Sequence, residues 1–187
     1  MGITRSAEVR TSHCLDLVMD EAIETVRLNL RPFNEDDVRE AFSWFGDPLV
    51  MRFTPSGPDR NMAQTGERIA TYLRHQAEHG FSKWIIVDRN SGRPIGDAGL
   101  LFVAEYDWID LGYRLARPYW GQGLATEAAS AWVERAFTQL MLSCLVSIVH
   151  PENHASIRVL QKLRFVEERW CEVMGMNSIV YRLTAPP

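Results

Sequence analysis

Residues 117–126 read Arg117-Pro118-Tyr119-Trp120-Gly121-Gln122-Gly123-Leu124-Ala125-Thr126, the join between a strand pattern and a helix pattern. Upstream, Trp108 to Leu115 has the composition of a strand. Downstream, Leu124, Ala128, Trp132, Ala136 and Leu140 recur every four residues, the stripe of a helix from about Gly123 to Leu140. Two glycines one residue apart at a helix start let the backbone approach a ligand closely and turn several N–H groups the same way. The helix N-terminus adds partial positive charge, so the place suits a phosphate or pyrophosphate. A P-loop needs Lys-Ser/Thr after its last glycine, and Leu124-Ala125 follow here. A dinucleotide fingerprint needs a small residue where Thr126 stands. By itself the pair of glycines also fits a merely structural turn.

Working outward, Val26 to Arg31 alternates apolar and polar and is closed by Pro32, a strand. Asn34 with Asp37 resembles a capping box and opens a helix through about Phe45, which Asp47-Pro48 ends. Thr65 to about His79 has helical spacing, and Lys83 to Val87 and Pro94 to Val103 are strands around the Asn90-Ser91-Gly92 turn. Beyond the central helix come a strand over Leu142 to Val149, a helix over Ala155 to Leu163, and two strands near Glu168–Val173 and Ile179–Leu183. The expected order is β-α-α-β-β-β-α-β-α-β-β, one mixed α/β domain over residues 26–187. Residues 1–25 read as an appendage, disordered or a short surface helix, whose helical hint runs from Cys14 to Thr25.

Composition narrows the function classes. Of 187 residues, 46% are hydrophobic and 24% charged, which is globular rather than disordered. No apolar run approaches the ~20 residues that span a bilayer, so no membrane partner is expected. Leu15 to Met19 is too short and interrupted for a signal peptide. Cys14, Cys144 and Cys171 form no CxxC pair, so neither a disulfide framework nor a metal site is expected, and the setting reads as cytoplasmic. A formal charge of -4 argues against nucleic acid as a partner.

A second stretch, Asn153-His154-Ala155-Ser156-Ile157-Arg158-Val159-Leu160-Gln161-Lys162-Leu163-Arg164-Phe165, follows downstream. Together with Leu111-Gly112-Tyr113-Arg114-Leu115 and Trp120 to Ala128 it resembles the GNAT N-acetyltransferase superfamily. The likeness is nearest to the branch holding ribosomal-protein N-terminal and spermidine acetyltransferases. Arg27-Leu28-Asn29-Leu30-Arg31-Pro32 and Asp47-Pro48 resemble that branch too, so the likeness extends from Val26 to about Leu183. It implies a mostly antiparallel central sheet, flanked by helices and splayed at the strand that meets the cofactor. The implied activity moves acetyl from acetyl-CoA, without metal, to a primary amine: a protein N-terminus, a polyamine or an amino-sugar. A non-catalytic acyl-CoA sensor or scaffold is the alternative, and the chain is expected as a monomer or homodimer.

The resemblance also implies residue roles. The backbone of Tyr113, Arg114 and Leu115 pairs with the pantetheine arm as a strand edge would. The N–H groups of Gly121, Gln122, Gly123, Leu124, Ala125 and Thr126 hold the pyrophosphate, Asn153 faces the pantetheine, and Leu160, Gln161 and Lys162 line the far wall. Three positions depart from the family pattern. Pro118 replaces a Gln or Arg, Leu160 replaces the tyrosine that protonates the departing thiolate, and Arg164 replaces a glycine before the closing phenylalanine.

Attack of an amine on a thioester needs a proton acceptor, a donor to the carbonyl oxygen and an acid for the thiolate. The Leu115 N–H is the expected donor. Ser156 is the candidate acid, or else the N-cap of the helix from Ile157 to Leu163. Asp110 and Glu172 are the candidate bases, with Glu105 and Asp107 in a nearby turn. His150 and His154 bracket the cofactor wall, and Trp44, Phe53, Tyr106 and Trp108 are candidates for an acceptor pocket.

Overall fold

Local signals place most of the elements. In the computed structural model, which describes residues 22–186, β1 (Ile23–Glu24) pairs with β2 (Leu28–Pro32), where Leu28 and Leu30 are buried and Asn29 and Arg31 are only partly so. The capping box at Asn34 forms: its side chain accepts the Asp36 N–H, and the Asp37 carboxylate accepts the Asn34 N–H. A 3₁₀ turn then leads into α1 (Val38–Phe45). Helix α2 (Met62–His79) starts earlier than Thr65, because Asn61 caps it by accepting the Gln64 N–H at 3.0 Å. The chain continues through β3 (Lys83–Asp88), β4 (Pro94–Val103), β5 (Trp108–Leu115), α3 (Leu124–Thr138), β6 (Cys144–Val149), α4 (His154–Lys162), β7 (Val166–Val173) and β8 (Met176–Thr184).

The eight strands form one sheet in the order β1-β2-β3-β4-β5-β6-β8-β7, every neighbouring pair antiparallel except β5 and β6. This is the mixed, mostly antiparallel sheet expected. One of its faces packs Trp84, Leu100 and Leu111 against Trp132 and Ala128 of α3, with the Trp84 and Trp132 rings edge-on at 5.0 Å. The other face packs Ile85 against Trp44, Phe45 and Tyr72 of α1 and α2.

Several boundaries differ from the sequence reading. The sheet begins at Ile23, inside the expected appendage, and the described end of the supposed 14–25 helix is therefore strand; the rest of that stretch lies outside the described residues. Helix α3 stops at Thr138, short of Leu140. The last hairpin is longer on both arms than expected. Its turn, Met174-Gly175, has φ of 50° and 75°, the two positive values of a type I′ connection, so β8 starts directly after it. Helix α4 ends in a Schellman arrangement: the Phe165 N–H donates to the Leu160 carbonyl and the Arg164 N–H to the Gln161 carbonyl. Arg164 sits there at φ 64°, so the left-handed turn survives without the family's glycine.

Candidate active site

The parallel pair β5–β6 is where the sheet opens. Their register has a single bridge, Asp110 to Val146. Two side chains hold the vertex beyond it: the Ser147 hydroxyl donates to the Leu111 carbonyl at 2.8 Å, and the Ile148 N–H donates to Asp110 Oδ1 at 3.2 Å. From there the strands part. The Ala116 N–H donates to the Ile95 carbonyl, so alternation sends the main-chain groups of Leu111, Tyr113 and Leu115 away from β4 and toward the gap. The Leu115 carbonyl is taken by the Trp120 indole at 2.6 Å. The Tyr113 N–H and C=O and the Leu115 N–H are left facing the opening.

A cleft of about 840 Å³ runs through this opening. At the α3 end it is lined by Gly121, Gly123, Leu124, Ala125 and Thr126. Gly121 and Gly123 have φ of 73° and 78°, a left-handed turn that aims the first N–H groups of α3 outward. Arg27 holds this turn from behind. Its guanidinium donates to the Gln122 carbonyl at 2.9 Å and pairs with Glu127 at 2.7 Å, and Thr25 donates to the same carboxylate. Glu127 lies in the first turn of α3, where the dipole favours a carboxylate, and its hydrogen bonds keep it below its ordinary range despite desolvation.

Across the cleft, α4 is capped by Asn153, whose side chain accepts the Ser156 N–H at 3.2 Å. Ser156 is thus inside the helix and is not its cap. Its hydroxyl instead donates to the Tyr113 hydroxyl at 3.0 Å, and Tyr113 donates to the Ser156 carbonyl at 3.1 Å, tying α4 to β5. Burial holds the Tyr113 hydroxyl above its ordinary value, although the Ser156 bond works the other way.

On the α1–α2 face, charged groups are buried beneath the opening. Lys83, only 1% exposed at its side chain, donates to the Gly99 carbonyl at 2.7 Å and stands 3.9 Å from Asp110 Oδ2. Its ammonium occupies the space above Gly112, where a Cβ would come within 2.6 Å. Desolvation pushes Lys83 down to about 8, with the Asp110 charge opposing. Desolvation raises Asp110, against the pull of Lys83 and the Ile148 N–H. Asp97, fully buried, accepts the Trp44 indole at 3.1 Å and faces Arg114 at 3.4 Å; burial raises it too. The Arg114 guanidinium also donates to the Tyr72 hydroxyl.

The sequence candidates sort cleanly against this geometry. Asp110, Tyr113, Arg114, Leu115, Asn153, Ser156, His150 and His154 all line the cleft. Of the expected far wall only Lys162 does; Leu160 is wholly buried in the core and Gln161 points to solvent. Gln122 does not line it either, its side chain donating to the Pro118 carbonyl at 2.8 Å. Glu172 is exposed beside Asn177 and stays outside the cleft, because Val173 takes the inward position on β7. Among the aromatic candidates only Phe53 reaches the cleft, stacked on His150 at 4.9 Å. Trp44 is core, and Tyr106 stacks on the buried Trp108. Lys83 and Asp97 escaped the sequence reading. The available signal was a charge inside each of two otherwise apolar strand segments.

Among the described residues no group of three His, Cys, Asp or Glu could hold a metal, and no helix is long and apolar enough to cross a membrane. A family model for the acetyltransferase (GNAT) domain matches residues 27–166. The chain is 32% identical to the uncharacterized protein YkkB of Bacillus subtilis over 74% of its own length and 81% of that protein's. It is 27% identical to the spermidine N(1)-acetyltransferase of Escherichia coli, covering 75% of this chain and 74% of that one. The solved structure of RimL, a ribosomal-protein α-N-acetyltransferase in complex with coenzyme A, superposes with a TM-score of 0.72 at 18% identity, over 88% and 98% of the two chains. With the splayed sheet, the glycine turn and the family match in agreement, the chain belongs to the GNAT acetyltransferase family.

Proposed function

We propose that this protein transfers the acetyl group of acetyl-CoA to a primary amine by direct attack within a ternary complex. One observation carries the reading: the unpaired edge of β5 and the glycine turn of α3 open on the same cleft. An amide-rich arm can pair with the Tyr113 backbone while a pyrophosphate meets the N–H groups of Gly121 to Thr126. Acetyl-CoA supplies the activated acyl group and a thiol leaving group. The chain supplies the rest. The Leu115 N–H faces the opening and suits the carbonyl oxygen. Asp110 lines the cleft with one oxygen pinned by Ile148 and the other 3.9 Å from the Lys83 ammonium without a hydrogen bond to it, which suits a base that takes the ammonium proton. Glu172 has no such placement.

Acetyl-CoA should raise the melting temperature, since a ligand that binds only the native state adds RT ln(1 + [L]/Kd). A hundredfold excess over Kd contributes ~2.7 kcal/mol, and at roughly 2–4 °C per kcal/mol for a domain near this size the expected shift is about 5–11 °C. Thiol should also be released when a mixed panel of amines is added. A thermal shift without thiol release would favour the non-catalytic acyl-CoA-binding alternative, and no shift at millimolar acetyl-CoA would refute both.

Ser156 is assigned to proton delivery to the departing thiolate. Leu160 has no hydroxyl and lies in the core, and the Ser156 hydroxyl lines the cleft in contact with Tyr113. A coenzyme A thiol leaves readily, its pKa being near the ordinary thiol range. Ser156→Ala should therefore lower the single-turnover rate by ~10²-fold, the low end for a general acid. Because Asn153 is the cap, that variant should lose only the bond to Tyr113, about 0.5–1.5 kcal/mol, and Asn153→Ala should lose ~1 kcal/mol through the cap while keeping its single-turnover rate closer to the parent's. An unchanged rate in Ser156→Ala removes the serine from the chemistry.

A further inference from the structure

The cleft has two ends, and only one suits phosphates. The glycine turn and α4 lie on the α3–α4 face of the sheet, so a cofactor anchored there presents its thioester at the gap. The acceptor must then arrive from the opposite face. Cross-strand partners locate that face: Leu101 is opposite Asp110 and Val103 opposite Trp108, so they share it with Lys83 and Arg114. Val173 and Met176 of the last hairpin and Phe53 of the α1–α2 connection close it.

The charges on this face decide what it can accept. It holds three carboxylates, and all have partners: Asp97, fully buried, faces Arg114 at 3.4 Å and accepts the Trp44 indole. Asp110 accepts the Ile148 N–H and faces Lys83, and Glu152 pairs with Arg52 at 3.1 Å. Against them stand Arg52, Lys83 and Arg114, with His150 stacked on Phe53. The remaining wall is mostly apolar, with Leu101, Val103, Val173, Met174, Met176 and Phe53 against the two hydroxyls of Thr54 and Ser178. A second or third ammonium on the acceptor would be desolvated beside cations that already hold the carboxylates of this face, which is strongly unfavourable. An apolar body would displace water from apolar walls.

Building on the transferase reading, we infer that the acceptor is a monoamine: a primary amine that is its molecule's only cation, carried on an apolar body. This separates the chain from its relative named for spermidine, although the two share a fold family. The selecting residues are those of the hairpin turn and the end of β4. Met174, at the turn and 55% exposed, is the one most open to change without disturbing the core.

The test measures kcat/KM by thiol release on the full chain with saturating acetyl-CoA, using 2-phenylethylamine and spermidine. The monoamine should be favoured by about 100-fold, within the range a mismatched pocket imposes. Met174→Glu adds a carboxylate at the rim and should narrow that ratio by about 10-fold, roughly one new charge pair. Spermidine turned over as well as or better than the monoamine overturns the acceptor assignment while leaving the transferase intact. An unchanged ratio in a folded Met174→Glu variant overturns the location of the acceptor on this face. No transfer to either amine, together with no thermal shift from acetyl-CoA, overturns the transferase reading itself, and the assignment falls with it.

Discussion

Asp110→Asn should lower kcat/KM by ~10²–10⁴-fold while the thermal shift from acetyl-CoA is retained. Asparagine keeps the size of the side chain and an oxygen for the Ile148 N–H, so the vertex of the opening stays closed. What it removes is the negative charge and the basic oxygen that stands 3.9 Å from Lys83. The pH profile provides an independent check. Desolvation raises the Asp110 pKa above its ordinary value, so the protein's rate should fall as pH drops through that raised value and the carboxyl becomes protonated. The variant should lack this acid limb. A variant within about threefold of the parent, with the limb still present, would assign proton removal to water or to the substrate's own equilibrium.

Gly121→Val and Gly123→Val should each weaken acetyl-CoA binding by ~10–100-fold. Both positions are left-handed, at φ 73° and 78°, and a β-branched residue there is strained by about 1–2 kcal/mol. A turn that relieves this strain in the free protein must be forced back on binding, and every 1.4 kcal/mol so spent is a factor of ten in Kd. Packing in the free protein is not the obstacle. A Cβ at Gly121 meets nothing within 4 Å, and one at Gly123 meets only the Arg27 guanidinium at 3.6 Å. The added side chain would instead occupy the space open to phosphate oxygens. Gly57→Val is the matched control: Gly57 has φ 63°, is equally uncrowded and lies outside the cleft. It should lose stability by a similar amount and leave Kd unchanged, measured by titration calorimetry. Equal Kd values in all three variants would put the phosphate site elsewhere.

How much of this was legible beforehand depends on the range of the interactions involved. The capping box at Asn34, the four-residue stripe of α3 and the Gly121–Gly123 turn are set within a few residues, and each stands where the sequence reading put it. Ser156 was harder. Asn153 and Ser156 are both good cap residues, three positions apart, and either choice makes a sensible helix. The connection from β6 puts Asn153 at the cap and frees the serine hydroxyl for Tyr113, 43 residues away in sequence. The end of β7 was harder still. Seven of its eight residues are not fully buried, so alternation is faint, and an irregularity between Glu167 and Arg169 shifts the register. A one-residue shift exchanges the two faces of a strand, so whether Glu172 or Val173 points inward cannot be read locally.

The sequence by itself determined the order of the elements from β2 onward, the family and the position of the glycine turn, because periodicity, caps and backbone conformation are local properties of the chain. Only the tertiary structure decided which carboxylate faces the opening and which charges lie beneath it. Asp110 meets Ile148 across 38 residues, and Lys83 reaches Asp110 only because β3, β4 and β5 are adjacent in the sheet. Strand register joins residues far apart in the chain, and in this protein register is what turns a list of acidic candidates into one.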